Sequence, residues 1–333
     1  MSESADYDPG PWTGYDFTSL RKKYDDHVGR SYGDAVAKSV KREDCVPASL
    51  KTESESPLII ACDVTGSMGE WPAVIFSKLP YLDLEGKEYL GEDMAISFAA
   101  VGDNRASDRY PLQVREFVTG KALETELQKL IIEGGGGGGM KEAYDLAAYY
   151  YAHKVNMPKA IRPIMIFIGD EGLYENLNKD DIKEWTGDDA QSRMDIKQIF
   201  DELKARYSVY LIRKPYSGGA DTWSESDKNI YAQWEVHLGA DHIAILPEAG
   251  RVVDVIFGIL AKETGRLNYF KKEIEDRQTE DQVKVVMKSL HTIHDPKSLK
   301  KLAGPKAGRS ITRRSKKGDD DVTGAKSISL LDD

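Results

Sequence analysis

Pro57-Leu58-Ile59-Ile60-Ala61-Cys62-Asp63-Val64-Thr65-Gly66-Ser67-Met68-Gly69-Glu70 is the stretch that decides the fold. Its first half is a short, nearly continuous apolar run, the pattern of a strand covered on both faces. Its second half turns abruptly small and polar, as a strand does where it gives way to a turn and then a helix. The same grammar recurs at 94–102, 163–169, 207–213 and 241–247, each run nearly continuous in apolar residues. Residues 112–118, LQVREFV, alternate instead and carry charges, which suits an edge strand entered through a hairpin from 102–111. Amphipathic stretches at 68–79, 121–131, 141–154, 179–185, 194–206, 227–238 and 251–263 separate these runs and predict helices. The expected fold is therefore α/β, a Rossmann-like doubly wound mixed sheet, mostly parallel with one antiparallel edge strand, flanked by helices. A ligand is expected along the rim formed by the strand C-terminal ends.

This pattern spans 57–265 and defines the expected domain. Residues 1–56 are polar and rich in Tyr, Asp, Ser and Gly, an N-terminal arm with one helical stretch at 32–41. Residues 266–295 form a charged helical extension. From 296 the chain carries nine Lys or Arg up to Lys317 without an acid, then switches to Gly318-Asp319-Asp320-Asp321 and ends Leu330-Leu331-Asp332-Asp333, a disordered basic-then-acidic tail. The 333 residues suffice for a core without disulfide support. With 46 basic and 56 acidic residues the net charge is −10, which excludes a surface built as a whole to grip nucleic acid or anionic lipid. No segment reads as a membrane span, and MSESADYDPG does not read as a signal peptide. Two cysteines, Cys45 and Cys62, and six scattered histidines give neither a disulfide framework nor a zinc site. The expected setting is cytoplasmic, and any metal is expected to be a hard, oxygen-bound ion.

Three features carry candidate chemistry. Asp63, Thr65 and Ser67 place one carboxylate and two hydroxyls within five residues at a strand end, donors that suit an octahedral Mg²⁺. The competing reading makes Ser67-x-x-Glu70 a capping box that serves only the following helix. Asp170 ends the run 163–169 in the same way; beside Asp63 it leaves room for a cation, and by itself it reads as a turn residue. Six glycines, 134–139, lead into Met140-Lys141-Glu142. A phosphate loop requires Lys directly after the last glycine and then Ser or Thr, so this segment fails the pattern. It is either a flexible connector or a loop that brings Glu142 to the metal. Gly66, Met68, Trp71 and Glu171 border the motif and are the candidate partner contacts, with core packing the alternative for Trp71.

These residues resemble the von Willebrand factor A-type (vWA) domain, whose metal ion-dependent adhesion site (MIDAS) is built from D-x-S-x-S and two later loops. The likeness covers about 57–265. Asp63, Thr65 and Ser67 match the motif, with Thr65 keeping the hydroxyl, and Asp170 matches the third-loop aspartate. The second-loop threonine has no match, its place being taken by the glycine run and Glu142. The chain is similar to the intracellular bacterial and phage branch, in which a glycine-rich loop leading to a glutamate and an I-G-D-E segment also occur. The resemblance implies a non-enzymatic protein-binding module. It implies that Mg²⁺ would bind a partner's Asp or Glu, Mn²⁺ and Ca²⁺ being the alternatives the sequence leaves open, and that an AAA+ ATPase of the MoxR type is the expected companion.

Two other functions are weighed. The first is a Mg²⁺-dependent phosphohydrolase or nucleotide-binding enzyme: a phosphatase of the haloacid dehalogenase kind would place its nucleophile at Asp63 but needs a second aspartate where Thr65 stands, and no Ser-His-Asp order involving Ser67 with His237 or His242 is legible. The basic tail could bind nucleic acid, yet it lacks aromatic residues for stacking.

Overall fold

Alternation within the apolar runs settles how the sheet is covered. The computed structural model describes residues 40–105, 108–131, 139–217 and 222–293. Within them, β1 (Pro57–Asp63), β2 (Ala95–Val101), β3 (Leu112–Val114), β4 (Ile164–Gly169), β5 (Ser208–Arg213) and β6 (Ile243–Ile245) form one six-stranded sheet in the order β6-β5-β4-β1-β2-β3. Every pairing is parallel except β2 with the edge strand β3. Leu58, Ile60 and Cys62 pack on one side, Ile59 and Ala61 on the other, and all are buried. Two hydrophobic layers result, which is why these strands read as unbroken apolar runs.

The first layer is covered by α2 (Trp71–Leu90), α3 (Ala122–Gln128), α8 (Val252–Glu263), α9 (Leu267–Arg277) and α10 (Glu280–Ser289). The second is covered by α1 (Arg42–Cys45), α4 (Tyr144–His153), α5 (Lys179–Thr186), α6 (Ile196–Lys204) and α7 (Glu225–Leu238). The chain leaves β1 toward the first layer and β4 toward the second. The crevice between the C-terminal ends of β1 and β4 is thus the topological switch point, where open α/β sheets bind ligands.

Several details differ from the sequence expectation. The helix after β1 starts at Trp71 rather than 68 and continues past 79 to Leu90, held by Leu82, Tyr89 and Leu90 in the core. No side chain caps its N-terminus, so Ser67 and Glu70 do not form the capping box; Thr279 and Gln282 form one at α10 instead. The edge strand is only Leu112–Val114, followed by a lone bridge between Val118 and Ile96. The helix expected from 141 begins at Tyr144, because Lys141–Glu142 pair in parallel with Gly172–Leu173.

Residues 40–56, read as part of the polar arm, are built into the second layer. Leu50–Lys51 pair in parallel with Val155–Asn156, and Cys45, Val46 and Leu50 are buried. Arg115 Nη2 donates to the carbonyls of Asp44 and Cys45 at 2.7 Å each, and Tyr150 Oη donates to that of Pro47 at 2.8 Å. The extension after 265 is two helices packed on α8. The arm up to residue 39, the glycines 134–138 and the charged tail lie outside the described residues. Among the described residues no helix is long and apolar enough to cross a membrane.

Candidate functional site

Asp63 closes β1, and its side chain falls on the parity of Ile59 and Ala61, the side covered by α4. Tyr144 Oη on that helix donates to Asp63 Oδ2 at 2.9 Å. The other carboxylate oxygen, Oδ1, accepts from Thr65 N at 2.8 Å and Thr65 Oγ1 at 2.7 Å, so the turn after β1 folds back on its own aspartate. Thr65 Oγ1 lies 3.2 Å from Ser67 Oγ, which donates to Asp170 Oδ1 at 3.0 Å. One chain of contacts therefore links Asp63, Thr65, Ser67 and Asp170 across the switch point. Both carboxylates are fully buried, while Ser67 and Gly66 face solvent.

The electrostatics are those of crowded negative charge. Burial, and then the neighbouring Asp170, push the Asp63 carboxyl up to about 8. Glu142 is 2 % exposed, and its Oε2 makes no hydrogen bond. Its carboxyl is pushed up to about 11 by burial and then by Asp63, Asp103, Asp108 and Glu171. The Lys141–Glu142 ladder and a bond from Ala143 N to Gly102 O, 2.9 Å, hold Glu142 between the ends of β2 and β4. The structure thus gathers Asp63, Thr65, Ser67 and Asp170 directly and sets Glu142 behind them. Among the described residues no group of three or more His, Cys, Asp or Glu is arranged to hold a metal ion; the donors offered here are two carboxylates with two hydroxyls.

The candidate partner contacts divide. Gly66 is on the surface, but Met68 and Trp71 are 0 % and 3 % exposed and belong to the first hydrophobic layer, so neither offers a contact face. The single 3₁₀ turn Gly66–Met68 turns Met68 inward. Glu171 is also largely buried; burial raises its carboxyl to about 7, and the Tyr216 hydroxyl bonds it. His242 precedes β6, at the end of the sheet opposite the rim, and stacks on Tyr210.

Three residues of the site escaped the sequence reading. Tyr144 fixes Asp63. Gly169 makes room for it: a methyl group there would stand 1.8 Å from Tyr144 Oη. Lys214, directly after β5, donates from Nζ to Asp170 Oδ2 at 2.8 Å and to Ser67 O at 2.7 Å. Its place one residue past the apolar run 207–213 was the available signal, since that strand ends on the same rim.

Compared with known proteins, the chain matches no family model and no curated protein. Among solved structures it is similar to the pilus adhesin SpaC from Lactobacillus rhamnosus GG. One crystal form gives a TM-score of 0.45 at 11 % identity, covering 69 % of this chain and 32 % of that one. The open conformation gives 0.44 at 10 % identity, covering 69 % and 31 %. The chain spans about a third of the adhesin's length.

Proposed function

We propose that the chain is a non-enzymatic protein-binding module that captures an acidic side chain through a divalent cation, with a MIDAS-like site at the switch point of its sheet. The observation that carries this reading is the contact chain Asp63–Thr65–Ser67–Asp170, which aligns two buried carboxylates and two hydroxyls at one point of the rim. The donor set fits a hard ion. All donors are oxygens, the Asp63 carboxyl is raised by burial and then by its like-charged neighbour, and Glu142 Oε2 is buried without a hydrogen-bond partner. Each of these strains is relieved by positive charge between the strand ends.

Asp63, Thr65, Ser67 and Asp170 would hold Mg²⁺, with Mn²⁺ or Ca²⁺ as substitutes and Glu142 next to Asp63. Bound there, the ion supplies an open coordination position with residual affinity for a partner's Asp or Glu. The chain's own residues fix the geometry. Tyr144 and the Thr65 amide orient Asp63, and Ser67 orients Asp170. Two neutral hydroxyls in place of further carboxylates leave the ion under-neutralised. Thr65 stands where a phosphohydrolase needs its acid, and its hydroxyl is bound to Asp63, which disfavours phosphoryl transfer. In this reading the module works in the cytoplasm, and an AAA+ ATPase is the first partner to test.

Thermal unfolding in MgCl₂ and in EDTA, with capture of partners from a lysate, tests the proposal. A ligand at 100 times its Kd stabilises by about 2.7 kcal/mol, so Mg²⁺ raises Tm of the unaltered chain. Asp63→Ala and Asp170→Ala are expected to lose that rise and the capture while retaining native circular dichroism. An equal Mg²⁺ response in both variants, or capture that persists in excess EDTA, refutes the reading.

A further inference from the structure

Among the described residues, Lys214 is the group at this site whose chemistry conflicts with a bound cation. All four carboxylate oxygens of Asp63 and Asp170 are engaged: Asp63 Oδ1 by Thr65, Asp63 Oδ2 by Tyr144, Asp170 Oδ1 by Ser67 and Asp170 Oδ2 by Lys214. The hydroxyls can donate a proton to a carboxylate and still turn a lone pair toward a metal. An ammonium has three donors, no lone pair and a full positive charge, so it can only compete and repel.

The backbone that carries Lys214 is fixed. Its N–H donates to Gly169 O at 2.9 Å, and the preceding Arg213 is fully buried in an ion pair with Asp227 at 2.8 Å. Two residues on, Tyr216 N donates to the same Asp227 oxygen at 2.9 Å. Only the aliphatic stem is left to move. The Lys214 side chain is 20 % exposed against 0 % for Asp170, so its open direction is outward, toward solvent. There it would stand on the rim with Tyr216, which is 40 % exposed.

We propose that Lys214 is a tethered cation of this site: its ammonium occupies Asp170 Oδ2 and Ser67 O, and divalent metal binding displaces it onto the rim, where it is free to meet the carboxylate that the metal attracts. This rests on the cation reading above and adds a residue that sets metal affinity and couples loading to the charge of the rim. Removing the ammonium while keeping the stem therefore tightens metal binding, whereas an ordinary structural lysine would leave it unchanged or weaken it.

The test uses the full chain and Mn²⁺ as the probe. Free Mn²⁺ is counted by electron paramagnetic resonance for the unaltered chain and for Lys214→Met, and the rate of Lys214 acylation by an amine-reactive ester is read by peptide mass spectrometry in Mn²⁺ and in EDTA. The exposed Lys121 serves as the internal reference. The expected result is at least tenfold tighter Mn²⁺ binding by Lys214→Met, with Lys214 acylated several-fold faster when Mn²⁺ is present. Mn²⁺ bound by both proteins, no tighter by Lys214→Met and with Lys214 acylation unaffected, overturns the displacement and leaves the cation site standing. Mn²⁺ bound by neither protein overturns the cation site and the displacement together.

Discussion

Gly169 lacks a side chain because Tyr144 needs the space. A Cβ at this position would meet Tyr144 Oη at 1.8 Å, Tyr144 Cζ at 2.8 Å and Asp63 Cβ at 3.2 Å, all in a buried layer. Gly169→Ala is therefore expected to destabilise by about 1–3 kcal/mol, the usual result of overpacking. In a Tyr144→Phe background the same substitution should cost less, because the closest contact is gone; equal urea-denaturation costs in the two backgrounds contradict this. Asp63 itself makes a pH prediction. Its carboxyl rises from the ordinary 3.8 to about 8 in the fold, so between these values the folded chain holds a proton that the unfolded chain has released. In EDTA, the stability contributed by this group is complete below about pH 4, declines as pH climbs toward 8, and is flat beyond. Asp63→Asn is expected to flatten that decline in urea midpoints taken from pH 5 to 8. A midpoint series with the same slope in both proteins shows that Asp63 is not the group responsible.

Arg213 and Asp227 join β5 to α7, and the loop carrying Tyr216 hangs on the pair. Asp227 accepts from Arg213 Nη2 at 2.8 Å, Tyr216 N at 2.9 Å, Ser217 Oγ at 2.7 Å and Ser224 Oγ at 3.0 Å. Both side chains of the ion pair are fully buried. Asp227→Ala strands a buried guanidinium and should cost about 3–5 kcal/mol, read from chemical denaturation; a loss under 1 kcal/mol would mean that water reaches Arg213. This junction could not be read from the sequence, because which strand ends meet depends on strand order rather than on local pattern, and Lys214 was marked only by its place one residue past the run 207–213. Five of the six strands were legible because burial on two faces writes itself as nearly continuous apolar runs, and the edge strand because its run alternates. Asp63, Thr65, Ser67 and Asp170 were legible for a related reason, as small oxygen-bearing residues directly after such runs. Glu142 is placed by a two-residue ladder, too short to show a period. Met68 and Trp71 were misplaced as rim contacts because the single 3₁₀ turn before α2 sends them inward, a phase that spacing alone does not fix.

At the scale of the molecule, the residues after 265 belong to the hydrophobic layer that supports the rim. Phe270, Ile274, Val286, Leu290 and Ile293 are all buried with the residues of α8 and α2. Contact is close enough that a Cβ on Gly258 would meet Leu290 Cδ1 at 2.1 Å, so α10 approaches α8 where that helix has no side chain. Thr292 Oγ1 donates to Ile243 O at 2.6 Å, and Lys262 Nζ bonds Ile293 O, tying the last described turn to the start of β6 and the end of α8. Burying each such apolar side chain contributes about 1.5–3 kcal/mol. Five of them together are comparable with the whole stability of an ordinary domain, about 5–15 kcal/mol. A chain ended at Gly265, the boundary that the alternating pattern suggests, is expected to lose cooperative thermal unfolding or to aggregate. A chain ended at Ile293 is expected to keep the Tm of the full chain within a few degrees, because the layer is then complete. Scanning calorimetry on the two truncations decides the matter: a cooperative transition at the full-chain Tm in the shorter one would make 266–293 an appendage, and its absence makes these helices part of the unit that holds α2, and through it the Asp63–Ser67 turn, in place.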